Sequence, residues 1–289
     1  MNSRLKPLKI LPFEQCKTKL AEQIEFENIE SDLIHQELNF TESAKDAISQ
    51  IVKYHGLNRE DEVYIVTTSD SSFVSSCVTS TLFNFCKVSR VLTEKTKLIF
   101  VIHEFGIPCN KVEALYEVAK KRKIPLIEDS AHSLTSKLKR QYLGKYGDYL
   151  IHSLPKTLPV KNGGLVIKTS DRFKLEFVQS EKVKIDFYKN LHHLSFSHHE
   201  RIKQYNRYHS LIEKELVYGT VNEACPFCFG YIDTIENVKS IYSEAQESHI
   251  EMVKTHNKNW VTIPLNPWYS ESDINRILKL IGAINENGS

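Results

Sequence analysis

The chain has 289 residues, 41% hydrophobic and 26% charged, with a formal net charge of +2. That length suits one large domain plus a smaller one. The near-balanced charge gives no electrostatic reason to expect nucleic acid or an anionic membrane as partner, and no apolar run is long enough to span a bilayer. Residues 1–13 carry basic side chains without the apolar core of a secretion signal, so the expected location is the cytoplasm.

Residues 1–40 are mixed in texture and give no assignment. Ala44, Ala47, Ile48, Ile51 and Val52 then recur at helical spacing, and Thr41 and Ser43 ahead of them are residue types that cap a helix. Residues 62–66 are β-prone. Residues 98–102, Leu-Ile-Phe-Val-Ile, form a continuous apolar run between turn signals, the pattern of a strand buried on both faces. Asn110 with Glu113 three residues on predicts a reciprocal cap. The helix it opens runs to about Arg122, where a basic last turn suits the negative helix end. Residues 125–127 are the next buried strand, running into Glu128 and Asp129, and residues 149–153 and 165–167 are two more. Strand, helix, strand with buried strands predicts an α/β fold with a mainly parallel sheet flanked by helices. Ligands in such sheets gather beyond the carboxyl ends of the strands, where His103, Asp129 and Ser153 fall.

The texture changes near residue 175, dividing the chain into a large α/β domain, 1–175, and a small C-terminal domain, 176–289. The second begins with a His-rich segment in which His192, His193, His198 and His199 flank Leu-Ser-Phe-Ser. Only Glu200 is at hand to complete a metal site, so no metal is expected and the segment reads as solvated or partly mobile. Cys225-Pro-Phe-Cys228 has the spacing of half a zinc site or of a redox dithiol. No second such pair exists, and the six cysteines are expected as free thiols. A helical pattern over residues 235–256, a strand at 260–264 and a helix from Ser270 through Ile284, with Ile274, Ile277, Leu278 and Ile281 on one face, complete the C-terminal α/β unit.

Four segments stand in a telling order: Ile127-Glu-Asp-Ser-Ala-His132, Gly144-Lys-Tyr-Gly-Asp148, Ser153-Leu-Pro-Lys156 and Asn162-Gly-Gly-Leu-Val-Ile167. With His103-Glu-Phe-Gly106 and Asp61-Glu-Val-Tyr-Ile, they resemble the DegT/DnrJ/EryC1/StrS sugar aminotransferases among the fold-type I pyridoxal phosphate enzymes. The likeness spans residues 40–170 well and 225–285 loosely, in a chain shorter than typical members. It implies a cytoplasmic homodimeric aminotransferase that takes pyridoxal phosphate and moves an amino group from a donor such as glutamate to a keto group on a nucleotide-linked sugar. Such work belongs to surface-polysaccharide or secondary-metabolite biosynthesis.

The resemblance also implies residue roles. Lys156 would condense with the cofactor aldehyde as a Schiff base and then shuttle protons, which requires a reachable, partly deprotonated amine. Lys161, also ahead of the Gly-Gly, is its rival. Asp129 would face the pyridine nitrogen and keep it protonated, His132 would approach the ring hydroxyl, and Ser153 would donate to the phosphate. The helix opening at Ser43 and Lys45 would present free N–H groups to the same phosphate, although Ala44 stands where the family has Gly and Asp46 adds a carboxylate. Phe73 would stack on the ring; its alternative is a plain core phenylalanine. A catalytically inactive homologue serving as a partner or regulatory protein is the second reading of the chain.

Overall fold

The computed structural model describes residues 6–15, 36–71, 76–219, 221 and 223–284. Among them, strands β1 (Leu38–Thr41), β2 (Glu62–Thr67), β3 (Lys87–Ser89), β4 (Thr96–Ile102), β5 (Leu126–Asp129), β8 (Tyr149–Ser153) and β9 (Gly164–Lys168) form one seven-stranded sheet in the order β1-β9-β8-β5-β4-β2-β3. A small hairpin of β6 (Lys137–Leu138) and β7 (Gln141–Tyr142) stands apart. Strands β3, β2, β4, β5 and β8 run parallel, while β9 is antiparallel to both β8 and β1.

The apolar runs are buried on both faces, as their continuity predicts. In β4, Leu98, Phe100 and Ile102 join the core under helix α1 (Ala44–Tyr54), whose stripe of Ala47, Ile48, Ile51 and Val52 is buried there. Ile99 and Val101 point to the opposite face, against Val112 and Ala119 of helix α3 (Val112–Arg122). Helix α2 (Ser76–Phe83) adds Val78 and Leu82 to the first core. Ser43 caps α1 as expected, its Oγ accepting the Asp46 N–H at 3.1 Å. The cap predicted for α3 does not form: Lys111 occupies the cap position without a side-chain bond, and Glu113 instead pairs with Lys139 across the surface.

Two pieces escaped the sequence. Strand β1 lies in the unassigned stretch, because four residues show too few periods to register. The His-rich segment, expected as solvated, is folded as α4 (Glu181–Asn190), a short 3-10 turn and α5 (Leu194–Leu211). Within it, Leu194, Ser195, Ser197, Arg201, Gln204, Tyr205 and Tyr208 are buried, and His198 Nδ1 lies 2.8 Å from the Thr135 hydroxyl. The helical pattern could not show this, because much of the buried face is polar.

The C-terminal part pairs β10 (Cys228–Ile232) antiparallel with β11 (Trp260–Pro264), packed by α6 (Ile235–Glu247) and α7 (Glu271–Leu280). Helix α6 stops at Glu247 rather than near residue 256, because Ser248 caps it and His249 turns left-handed at φ 56°. Helix α7 opens on a reciprocal Ser270–Asp273 cap. Leu8, from the unassigned start of the chain, is fully buried in this cluster, its N–H donating to the His249 carbonyl at 2.9 Å. Cys77, Cys86, Cys109, Cys225 and Cys228 are free thiols, and Cys16 lies outside the described residues.

Candidate active site

Asp129 ends β5, 6% exposed, with its neighbour Glu128 projecting to the other side of the strand. Glu128 is the anchor. Its carboxylate accepts from the backbone N–H groups of Gly144 (3.2 Å) and Tyr146 (3.1 Å) and lies 3.0 Å from His103 Nε2. Because His103 Nδ1 accepts the Cys109 N–H at 3.0 Å, Nε2 carries the ring proton and donates to Glu128. The His103 N–H donates in turn to the Asp129 carbonyl at 2.9 Å. These bonds fix the ends of β4 and β5 together, so the Asp129 carboxyl, accepting from Ala131 N–H at 2.8 Å, has a set direction. The glycines of Gly144-Lys-Tyr-Gly are needed here: a Cβ on Gly147 would crowd the Glu128 carboxyl at 3.1 Å.

Lys156 closes a single 3-10 turn, Leu154–Lys156, directly after β8. Leu154 is fully buried and anchors that turn. The Lys156 Nζ then lies 2.9 Å from His132 Nε2, in the turn that follows Asp129. Burial lowers the Lys156 pKa, opposed by the Asp129 charge. Burial also raises that of Asp129, opposed by Lys156, the Ala131 N–H and His103. His132 is held well below the usual histidine range by burial and by the cationic Lys156 and Arg201. The site therefore presents an amine and an imidazole driven toward their neutral forms beside a carboxyl that welcomes a cationic partner. The rings of Phe105 and Phe227 flank His132 at 5.4 and 5.1 Å between centroids.

Ser153, at the end of β8, is paired with Gly164 of β9, and Gly164 lies so close to the start of α1 that a Cβ would come within 2.5 Å of the Ser43 carbonyl carbon. Ser153 and the α1 N-terminus are thereby neighbours. The Ser43 hydroxyl accepts from its own helix, Lys45 is exposed on the first turn, and the Asp46 carboxylate takes Gln50 Nε2 at 3.0 Å and the Glu42 N–H at 3.3 Å. Phe73 lies outside the described residues. The rival Lys161 is exposed, its amine 5.4 Å from the Phe13 ring centre. Arg201 was missed by sequence reading: it is wholly buried beneath the Lys156 and His132 turns, and nothing in the sequence marks one arginine of a basic helix as buried.

The seven-stranded sheet with site residues at the carboxyl ends of its strands is the fold of the pyridoxal phosphate-dependent sugar aminotransferases. A sugar aminotransferase of Streptococcus pneumoniae in its PMP form superposes with a TM-score of 0.72 at 15% identity, over 92% of each chain. Helicobacter pylori PseC, an aminotransferase of pseudoaminic acid biosynthesis, superposes with a TM-score of 0.72 at 13% identity, over 96% of this chain and 98% of that one. Residues 61–204 match the model of the DegT/DnrJ/EryC1/StrS aminotransferase family, and the chain belongs to that family. GDP-perosamine synthase of Escherichia coli O157:H7 is 38% identical over 87 residues, 29% of this chain and 23% of the relative. The match thus spans less than a quarter of that relative's length.

Proposed function

We propose that the chain is a pyridoxal phosphate-dependent aminotransferase that moves an amino group from glutamate to a keto group of a nucleotide-linked sugar, working as a cytoplasmic homodimer. The observation that carries this reading is the Lys156 amine, buried against His132 at 2.9 Å and facing the Asp129 charge. The donor set fits the cofactor: an amine for its aldehyde, a buried carboxyl for its ring nitrogen, an imidazole for its ring hydroxyl, and Ser153 with the α1 N-terminus for its phosphate. Phe73, outside the described residues, would take the ring face by the family resemblance alone. When bound, pyridoxal phosphate supplies the carbonyl that captures amines and the ring that takes up electrons from the adjacent carbon.

The protein's own residues do the rest. Asp129 would hold the ring nitrogen, and its buried carboxyl, which favours a cationic partner, would keep a proton there. Lys156 would hold the cofactor through its amine and, as a neutral amine, would accept a proton from the donor's carbon and return it to the adjacent reacting carbon. His132, kept neutral, orients the Lys156 amine through its ring nitrogen. The name of GDP-perosamine synthase, an enzyme whose product is an amino sugar nucleotide, supports the substrate class. Asp46, whose carboxylate stands in the first turn of α1 where an anion would bind, favours the second reading, an inactive homologue acting as a partner protein.

The test is the visible absorption of the purified protein with added pyridoxal phosphate, followed by borohydride reduction and peptide mapping, then turnover with glutamate and a GDP-linked keto-hexose. A band and a label on the Lys156 peptide are expected. No band with excess cofactor would give the partner-protein reading the lead.

A further inference from the structure

Helix α5 carries a buried polar stripe. Ser197, Arg201 and Gln204 are 1%, 0% and 1% exposed and, at spacings of four and three, share one face. Each donates to backbone oxygens, and Arg201 in addition meets the Cys225 side chain. The Ser197 hydroxyl donates to the Thr157 carbonyl at 3.0 Å, and Gln204 Nε2 to the Asn266 carbonyl at 2.8 Å. Arg201 reaches three: Nε donates to Leu265 O at 3.2 Å, Nη1 to His132 O at 3.3 Å, and Nη2 to Lys156 O. Its guanidinium also lies over the Phe227 ring, 5.3 Å from the centroid. Among the described residues no carboxylate pairs with it; the ionisable groups acting on it are Cys225 and Cys228. Burying a guanidinium without a carboxylate partner is costly, and apolar packing would stabilise the helix contact more cheaply. What the guanidinium adds is a rigid planar fork that fixes its acceptors relative to one another. Two of those acceptors belong to the residues whose side chains touch in the site.

We infer that Arg201 is a positioning residue that, by holding the Lys156 and His132 carbonyls on one guanidinium, keeps the Lys156 amine inside the pocket against His132. The inference rests on the proposed function only in taking Lys156 as the nucleophile. Without the fork, the 3-10 turn of Leu154–Lys156 loses its outer tether, and the long lysine stem carries the amine toward water. The groups facing the amine are Asp129 on β5, His132 in the turn after it, Cys77 on α2 and Cys228 on β10. Asp129 and Cys77 have no bond to Arg201, whereas His132 loses its carbonyl tether together with Lys156, so the experiment reads release of the Lys156–His132 pair from the guanidinium.

The test uses the full chain without cofactor. Trace acetylation with acetic anhydride across a range of pH, with peptide mapping, reports the titration and reactivity of each lysine, and exposed Lys161 serves as the internal reference. In the wild type, Lys156 should titrate below the ordinary lysine value. In Arg201→Met, which keeps the stem but removes the fork, the Lys156 titration should move up toward the ordinary lysine value. Relative to its own limiting rate at high pH, which absorbs the change in access, its labelling near neutral pH should fall about tenfold for each pH unit moved. Arg201→Lys, whose single ammonium cannot span three carbonyls, should show most of the same shift, and it provides the reading if the Met variant fails to fold. Ser197→Ala removes a bond from the same helix face without touching the Lys156 carbonyl and should leave the profile unchanged. A folded Arg201 variant with the wild-type Lys156 profile would overturn the inference. So would a wild-type Lys156 that titrates at the ordinary lysine value, or a Ser197→Ala shift equal to that of Arg201→Met. A wild type that shows the Lys156 shift yet forms no adduct with pyridoxal phosphate would sustain this inference while sinking the aminotransferase reading.

Discussion

The Lys156 amine and the His132 ring nitrogen stand 2.9 Å apart, each driven by burial toward its neutral form. A neutral amine in such a place is ready to add to an aldehyde without first losing a proton to solvent. Lys156→Ala should therefore abolish the borohydride-reducible adduct while leaving far-UV circular dichroism and the thermal transition close to wild type. Lys161→Ala should retain the adduct, because Lys161 is exposed beside Phe13. Peptide mapping of the reduced protein decides between them, and a label on the Lys161 peptide would reverse the assignment.

Asp129→Asn keeps the shape of the β5 end and the bond from Ala131, but removes the charge that would pair with a protonated ring nitrogen. A hydrogen bond to a charged group contributes roughly 1.5–3 kcal/mol, so the cofactor should be held at least about tenfold more weakly. Fluorescence titration of the cofactor-free variant with pyridoxal phosphate measures this. Unchanged affinity would remove Asp129 from the site.

Acid should weaken the fold over a defined window. Burial depresses His55 to about 4, with Arg172 adding to the effect, and burial likewise depresses His152 to about 4. Their bonding matches neutral rings: the His152 Nδ1–H donates to the carbonyls of Ser130 (3.1 Å) and Ser133 (3.0 Å), and the Tyr149 hydroxyl, 3.2 Å from His55 Nε2, keeps its proton to donate. The unfolded chain binds these protons near the ordinary histidine pKa of 6.5 and the folded chain only near 4. Stability is thus fully present above the former value and falls between the two, by up to about 1.4 kcal/mol per pH unit for each fully neutral-locked ring. Partly exposed His55 should give less than that. Thermal melts across this range should show the decline, and His152→Gln should flatten it. A melting temperature independent of pH there would contradict the assignment.

Gly164→Ala would place a Cβ within 2.5 Å of Ser43 backbone and of the Thr41 hydroxyl, where β9 meets the start of α1. Backbone on one side leaves nothing flexible to yield, and overpacking of this kind costs about 1–3 kcal/mol. The melting temperature should fall by several degrees, and binding of inorganic phosphate, if the α1 start and Ser153 form an anion site, should weaken with it. A variant as stable as the wild type would mean that the α1 start shifts without cost.

Local pattern carried a great deal. The runs in β4, β5, β8 and β9 were legible because strands buried on both faces must be apolar throughout, and α1 because one stripe alone is buried. Lys156 and Asp129 were singled out through the resemblance of ordered motifs, and the structure puts Asp129 at the end of β5 and Lys156 in the turn after β8. The C-terminal limit of α6 was misplaced, since a left-handed His249 is a backbone event that composition does not announce. The cap of α3 was misread because the helix starts one residue later than the motif suggests, with Lys111 at the cap position, and Glu113 pairs with Lys139, 26 residues away in sequence.

The sequence by itself determined the α/β class and the parallel core of the sheet, because hydrophobic period is a local property, while the candidates for the reacting amine and carboxyl came from the resemblance of its ordered motifs to a family. Only the tertiary structure decided that Lys156 meets His132, that Glu128 and His103 lock the strand ends behind Asp129, and that Arg201 is buried beneath both turns. Each of these depends on which backbone oxygens and side chains converge after folding. A buried polar helix face such as that of Ser197, Arg201 and Gln204 looks solvated until its carbonyl partners, distant in sequence, are brought to it.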